Sequence, residues 1–244
     1  MATGPSSPPE DELEECHPIA SFPPSPLFMN LRRHTDQSLA LITVDGMTHP
    51  FLAVKNYILK KIHLIETSGG RLLGMSGEGE SYFRGCRQRP ANIIALSCFN
   101  NQCAWELFRA LRLKYEFPQD VDYFIIDLCN CTANTIDYPL MEICLYEVRD
   151  NESFNERYMR ELPKLVCDQN GHLIAGTQKI TQMMGALTSN FCTISQWKNC
   201  ADYHMYHEKE PLVTKLLNES QSACVRKALA DFGSLSAGNR AINN

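Results

Sequence analysis

Leu39-Ala40-Leu41-Ile42-Thr43-Val44 is followed by Asp45-Gly46 and then by Met47-Thr48-His49-Pro50-Phe51. The reading of this stretch decides the fold. An Asp-Gly pair between two apolar stretches is a strong short-range hairpin signal, because a type I′ turn needs positive φ at both central residues. Two strands are therefore predicted, joined at Asp45-Gly46, the second ending at Phe51. After Phe51 the period changes. Phe51, Val54, Ile58, Ile62 and Ile65 recur at steps of three and four, which predicts an amphipathic helix over about 52–65. Lys55, Lys60 and Lys61 fall on its wetter side.

Upstream of this hairpin, residues 1–35 are rich in Pro and Ser and carry an acidic cluster from Glu10 to Glu15. Such a composition buries no core and reads as a disordered tail. Order is expected to begin near Asp36. Downstream, residues 67–90 hold six glycines, from Gly69 to Gly85, and read as a long mobile loop. No GxxxxGK[ST] is present, so the glycines spell no phosphate cradle. Asn92 to Ser97 reads as a buried strand. Asn100 or Asn101 is suited to cap the next helix, whose buried stripe is Cys103, Leu107, Ala110 and Leu111. A further helix is predicted over 120–131 through Val121, Phe124, Ile125 and Leu128, although Tyr123 to Ile126 is also strand-like in composition. Tyr138-Pro139 opens another helix, since Pro suits a first turn. Beyond residue 150 the spacing predicts helices near 153–166, 176–190, 193–207 and 211–231, with a frayed tail over 234–244. No internal repeat recurs at a fixed period.

The chain has 244 residues, of which 44% are hydrophobic, so a sizeable core is available. Net charge is −5 with no dominant basic stripe, which argues against nucleic acid as the main partner. No apolar run reaches the ~18 residues of a membrane span, and the N-terminus lacks a basic-then-apolar leader pattern. A cytoplasmic or nuclear protein without a membrane partner is expected. The eleven cysteines are an odd number. Without a leader they read mostly as reduced core thiols rather than as a secreted disulfide framework.

The order hairpin, helix, strand, helix and helical pair resembles the BTB/POZ domain. In that family a motif like F-x-A-H-K-x-x-L opens the first helix, and here Phe51-Leu52-Ala53-Val54-Lys55-Asn56-Tyr57-Ile58-Leu59 stands in that place, with Val54 for the usual His. Ile93-Ile94-Ala95-Leu96 resembles the third strand of the family. Ala104 to Leu111 with Tyr115 resembles its "F-x-x-x-L-x-Y-x-Y-T-G" helix, without the Thr-Gly. Tyr138-Pro139-Leu140-Met141-Glu142-Ile143-Cys144 resembles its closing helical pair. The resemblance implies an α+β fold over 36–149, a small sheet packed by helices, followed by an all-α extension over 150–233. It implies a non-catalytic interaction module, a dimerising adaptor or scaffold, with Asp36, Lys55 and Tyr57 near the partner surface. It also implies protein partners, including a second copy of the chain and a ubiquitin-ligase scaffold.

Two other constellations carry chemistry. Cys192, Cys200, His204 and His207 are all zinc-ligand types. On a helix, Cys200, His204 and His207 share one face. Their spacing is not that of a standard finger, and the plainer reading is a core Cys with surface histidines. Both readings stay open: no cofactor, or a zinc-stabilised helical module. Cys86 lies between Arg84 and Arg87, where positive charge lowers a thiol pKa. It is the best local candidate for a cysteine-dependent enzyme, but no general base or nucleophile elbow accompanies it. Tyr82, Phe83, Arg84, Arg87 and Arg89 form the one compact aromatic-basic cluster, too small for phosphate-backbone binding.

Overall fold

The computed structural model describes residues 38–44, 48–76, 92–119, 121–128 and 137–231. The first half runs β1 (Ser38–Val44), α1 (Thr48–Lys60), α2 (Ile62–Thr67), β2 (Gly70–Met75), β3 (Asn92–Cys98), α3 (Asn101–Leu111), α4 (Leu113–Glu116) and β4 (Val121–Asp127). β1 is central and antiparallel to two neighbours: Ile42 stands opposite Ile94 of β3 and opposite Tyr123 of β4. β2 lines the far side of β3. The order β2-β3-β1-β4 is that of a split β-α-β-β-α-β unit, the ferredoxin-like arrangement.

The second half repeats it. β5 (Leu140–Val148) leads into a helical segment: α5 (Asn151–Ser153), a π-helical turn over Phe154–Met159, and α6 (Leu162–Cys167). β6 (Gly171–Thr177), β7 (Ile180–Met184) and β8 (Phe191–Trp197) follow, then α7 (Cys200–His207), α8 (Glu210–Glu219) and β9 (Ser222–Asp231). The sheet order is β6-β8-β5-β9, the same arrangement once more. β7 leaves its own unit and extends the first sheet beside β4, with Thr181 opposite Ile125.

The two sheets share a dry seam. Leu39, Leu41, Ile93 and Phe124 from the first pack with Met141, Ile143, Cys192 and Ile194 from the second. Alternate residues on the same strands face the helices. In the first half these are Ala40, Ile42, Ile94 and Leu96, covered by Val54, Ile58, Leu107 and Leu111. One ion pair crosses the seam: Arg226 of β9 meets Asp122 of β4 at 3.4 Å. The Leu187 amide also donates to Asp122, at 2.9 Å. Gly185 turns the chain here with φ +103°, and a Cβ at this position would overlap the Asp122 carboxylate.

This architecture corrects several expectations. The Asp45-Gly46 turn lies outside the described residues. The predicted second strand up to Phe51 is instead the first turn of α1, which begins at Thr48. β2 emerges from the stretch read as a glycine loop. Residues 121–127 and 140–148 are central strands, not helices. The C-terminal region is not all-α, since β6 to β9 lie there. One physical cause explains why residues 121–127 and 140–148 read as helices. β4 and β5 are buried on both faces, by helices and by the opposite sheet. Such strands carry apolar residues on both sides and lose period-two alternation, so a short run of them matches helical spacing too. The α+β class stands, and β1, β3, the helix after Phe51 and the Asn100 cap lie where the residues indicate. Asn100 accepts from the Cys103 amide at 2.8 Å. The BTB/POZ resemblance does not hold, because paired antiparallel sheets in two ferredoxin-like units have a different strand order throughout.

Candidate functional site

The helix-facing side of the second sheet breaks the apolar rule. On β5 the residues facing α7 and α8 alternate as Leu140, Glu142, Cys144, Tyr146 and Val148. Glu142 is only 3% exposed. A carboxylate so placed must be matched by a cation and hydrogen bonds, or it costs several kcal/mol. Both are supplied. Tyr203 of α7 donates its hydroxyl to Glu142 Oε1 at 2.9 Å, and Lys227 Nζ of β9 lies 3.6 Å from the same oxygen.

The network continues outward. Lys227 Nζ is 3.4 Å from Glu210 Oε1 at the start of α8. Glu210 Oε2 is 3.1 Å from His207 Nε2 at the end of α7. The His207 ring lies over Tyr203, with centroids 6.0 Å apart and planes 17° from parallel. The side chains grade from Glu142 at the sheet to Lys227, 17% exposed, and Glu210, 35% exposed. A chain of charges thus runs from the closed layer to the solvent edge. Asn199 orients α7 by accepting from the Asp202 amide at 2.9 Å, and Pro211 occupies the first turn of α8, where no amide is needed.

The surroundings hold Lys227 as a cation. Burial alone would drive its pKa down, but Glu142, with Cys144, Tyr206 and Glu210 adding to it, raises it well above the ordinary lysine value. The phenols go the other way in availability. Burial, then the Glu142 charge, pushes Tyr203 and Tyr206 well up, so both stay protonated and serve as donors. Deeper in the layer, the Tyr146 and Tyr158 hydroxyls meet at 2.7 Å, and Tyr146 reaches Thr193 at 3.1 Å.

Two thiols sit in the same layer. Cys144 and Cys224 are both free. Cys144 donates a hydrogen bond to the Cys224 sulfur; this bond and burial raise Cys144. The same bond lowers Cys224 and, with the Lys227 ammonium, outweighs its burial.

The residues predicted from sequence fall elsewhere. Asp36 and Cys86 lie outside the described residues. Tyr57 donates its hydroxyl to the Leu111 carbonyl and sets its ring edge-on to Phe117 at 5.5 Å, which ties α1 to the end of α3. Lys55 is half-buried on the same helix. The four zinc-type residues are not brought together. Cys192 points into the seam between the sheets, whereas Cys200, His204 and His207 lie on α7, across the sheet from it. Among the described residues no group of three or more His, Cys, Asp or Glu side chains is arranged to hold a metal. Among the described residues no helix is long and apolar enough to cross a membrane. Cys167, at the end of α6, is disulfide-bonded.

Glu142 and Lys227 were missed because both lie in stretches, one opening at Tyr138-Pro139 and one over 211–231, whose spacing predicts helices. One signal was present: in Leu140-Met141-Glu142-Ile143-Cys144-Leu145, Glu142 is a lone charge inside an unbroken apolar run. Read as a strand, that run leaves the charge no exit to solvent.

No family model matches the chain, and no curated protein matches it. Solved structures with a similar course include an anthrone oxidase-like protein, 8% identical over 80% of this chain and 89% of the other, with a TM-score of 0.48. A chlorite dismutase mutant from Candidatus Nitrospira defluvii is 9% identical over 79% and 90%, with a TM-score of 0.44. A dye-decolorizing protein from V. cholerae is 6% identical over 80% and 92%, with a TM-score of 0.44. The non-catalytic adaptor reading rested on the BTB/POZ domain's order of elements, and it falls with it.

Proposed function

We propose that the chain is an enzyme that moves a proton on a small organic molecule at the open end of the second helix-facing layer. The observation that carries this reading is the linked set Glu142, Lys227, Glu210 and His207, which reaches from a closed sheet face to the half-exposed Glu210, where it meets His207. A layer needed only for stability is better filled by apolar groups, because a buried ion pair returns little net energy over a well-packed hydrophobic replacement. Buried charges with strongly shifted proton affinities gather where chemistry is done.

Each group has a part. Lys227, held charged, is the fixed cation against which an anion forms on the substrate. Tyr203, held protonated, orients Glu142, which in turn anchors Lys227. Imidazole is the side chain suited to take and return a proton near neutrality, and Glu210 holds His207 toward the edge. The substrate class that fits is a weak carbon or oxygen acid, an enolisable carbonyl compound or a phenol, whose conjugate anion sits beside the ammonium.

The test is proton exchange. Wild-type protein in deuterated buffer is incubated with a panel of enolisable ketones and phenols, and deuterium uptake at carbon is read by mass spectrometry. Uptake above the buffer rate by at least one class is expected. His207→Gln, at the α7 end of the network, is expected to slow it by about 10²–10⁴-fold, the usual worth of a general acid or base. Absence of uptake across the panel, with no amide shift changes on β5, β9 or α7, would overturn the reading.

A further inference from the structure

The thiol pair beneath Lys227 has no part in this proton chain, yet its placement is specific. β5 and β9 are adjacent strands, with Cys144 opposite Lys227 and Tyr146 opposite Cys224. The register slips by one residue between Leu145 and Tyr146, and this bulge brings residue 224 round to the face that carries Cys144 and Lys227. Cys144 and Cys224 therefore sit diagonally across the strand pair on one face, and both pack into the same layer. Cys224 in turn points its own thiol at the Arg226 carbonyl, 3.4 Å away.

We propose that Cys144 and Cys224 form a redox-active dithiol that a hydroperoxide oxidises to a disulfide joining β5 to β9. Cys224 is the attacking group. Lys227 stands on the same strand and the same face, and an ammonium there favours a thiolate. It is half-buried, whereas Cys144 is closed off. A hydroperoxide is the fitting oxidant because it is small enough to reach such a sulfur, where a bulky disulfide is not.

The chemistry balances. The Cys224 thiolate attacks one peroxide oxygen. The O–O bond breaks, the released hydroxide takes up the proton that Cys224 gave up on ionising, and water leaves when the oxidant is hydrogen peroxide. Cys224 is now a sulfenic acid. The Cys144 sulfur then attacks the Cys224 sulfur as its proton passes to the departing hydroxyl. The S–O bond breaks, the S–S bond forms, and a second water leaves. Two thiols lose two electrons and two protons, and the peroxide gains them.

Two other described thiols, Cys98 and Cys192, provide internal controls. Burial pushes the Cys98 thiol up to about 12. Cys192 is likewise pushed up by burial and lies in the seam between the sheets. Neither should react at neutral pH.

The experiment uses the full chain treated with equimolar hydrogen peroxide and then mapped by peptide mass spectrometry under non-reducing conditions. A cross-link between the Cys144 and Cys224 peptides is expected, with both thiols lost together and restored by a dithiol reductant. In Cys144→Ser the resolving thiol is gone, and a dimedone-type reagent should label Cys224 as a trapped sulfenic acid. Oxidation of Cys98 or Cys192 ahead of Cys224, or oxidation of Cys224 without the cross-link, would overturn the proposal. The wild-type map requires no variant to fold. It also requires no substrate, so its outcome is separate from that of the proton-exchange test.

Discussion

The two halves share one topology and differ in what they place between sheet and helices. In the first, β1 presents Ala40, Ile42 and Val44 to α1 and α3, and among the described residues the polar groups of the layer are neutral: Ser38 donates to Asn101, and the Tyr123 hydroxyl donates to the Ala104 carbonyl at 3.1 Å. In the second, β5 presents Leu140, Glu142, Cys144, Tyr146 and Val148, met by Lys227, Tyr203 and Cys224. The equal outcome in fold shows that the split β-α-β-β-α-β unit does not need a polar layer to stand. The second layer therefore carries charges that the architecture itself does not demand, and that is why function is assigned there.

The comparison can be broken most forcefully at Lys227. Lys227→Met leaves Glu142 buried without its cation and is expected to cost about 3–5 kcal/mol in urea unfolding. The double variant Glu142→Leu/Lys227→Met makes the second layer resemble the first and should recover most of that loss; a double variant as unstable as the single would show that the charges are structural. The pH dependence follows from the raised proton affinity of Lys227. Its contribution is full below the unfolded lysine value of about 10.4 and is lost only as pH rises through the still higher folded value. The stability gap between wild type and Lys227→Met should stay flat from about pH 6 to 9 and narrow only in strong alkali.

In the first layer, Ile58→Ala removes a fully buried side chain that α1 sets against the sheet. A loss of about 2–4 kcal/mol is expected by thermal and urea unfolding, with proton exchange at the second layer unchanged. Tyr203→Phe removes one charged hydrogen bond from Glu142 and should cost about 1.5–3 kcal/mol. Unlike Ile58→Ala it should also lower exchange activity, which separates the layers by role. The smallest effect is expected at Tyr57. Tyr57→Phe deletes the hydroxyl bond to Leu111 and should cost about 1 kcal/mol. A large loss of self-association in that variant, seen by light scattering, would instead restore a partner-binding role for α1.

Legibility followed locality. β1, β3 and the amphipathic helix after Phe51 are readable because each has one dominant signal: an apolar run, or a three-and-four spacing. The Asn100 cap is readable because it acts within its own turn. β4, β5 and β8 were not, because burial on both faces removes the alternation that marks a strand. The duplication was also hidden: the halves share strand order while carrying different residues at matching places, as the Ile42 and Glu142 layers show. Of the candidate site, the histidines and cysteines of 192–207 were singled out by type, but only His207 joins the network.

By itself the sequence determined the apolar content, the first strand and helix, the caps and the α+β class, because these depend on neighbours a few residues apart. Only the tertiary structure decided that Glu142 meets Lys227 and Tyr203, that Cys144 meets Cys224, and that Cys192 is turned away from all of them. Those meetings depend on strand register and on which sheet face closes against which helix, and both are set by pairing across long stretches of chain rather than by any local preference.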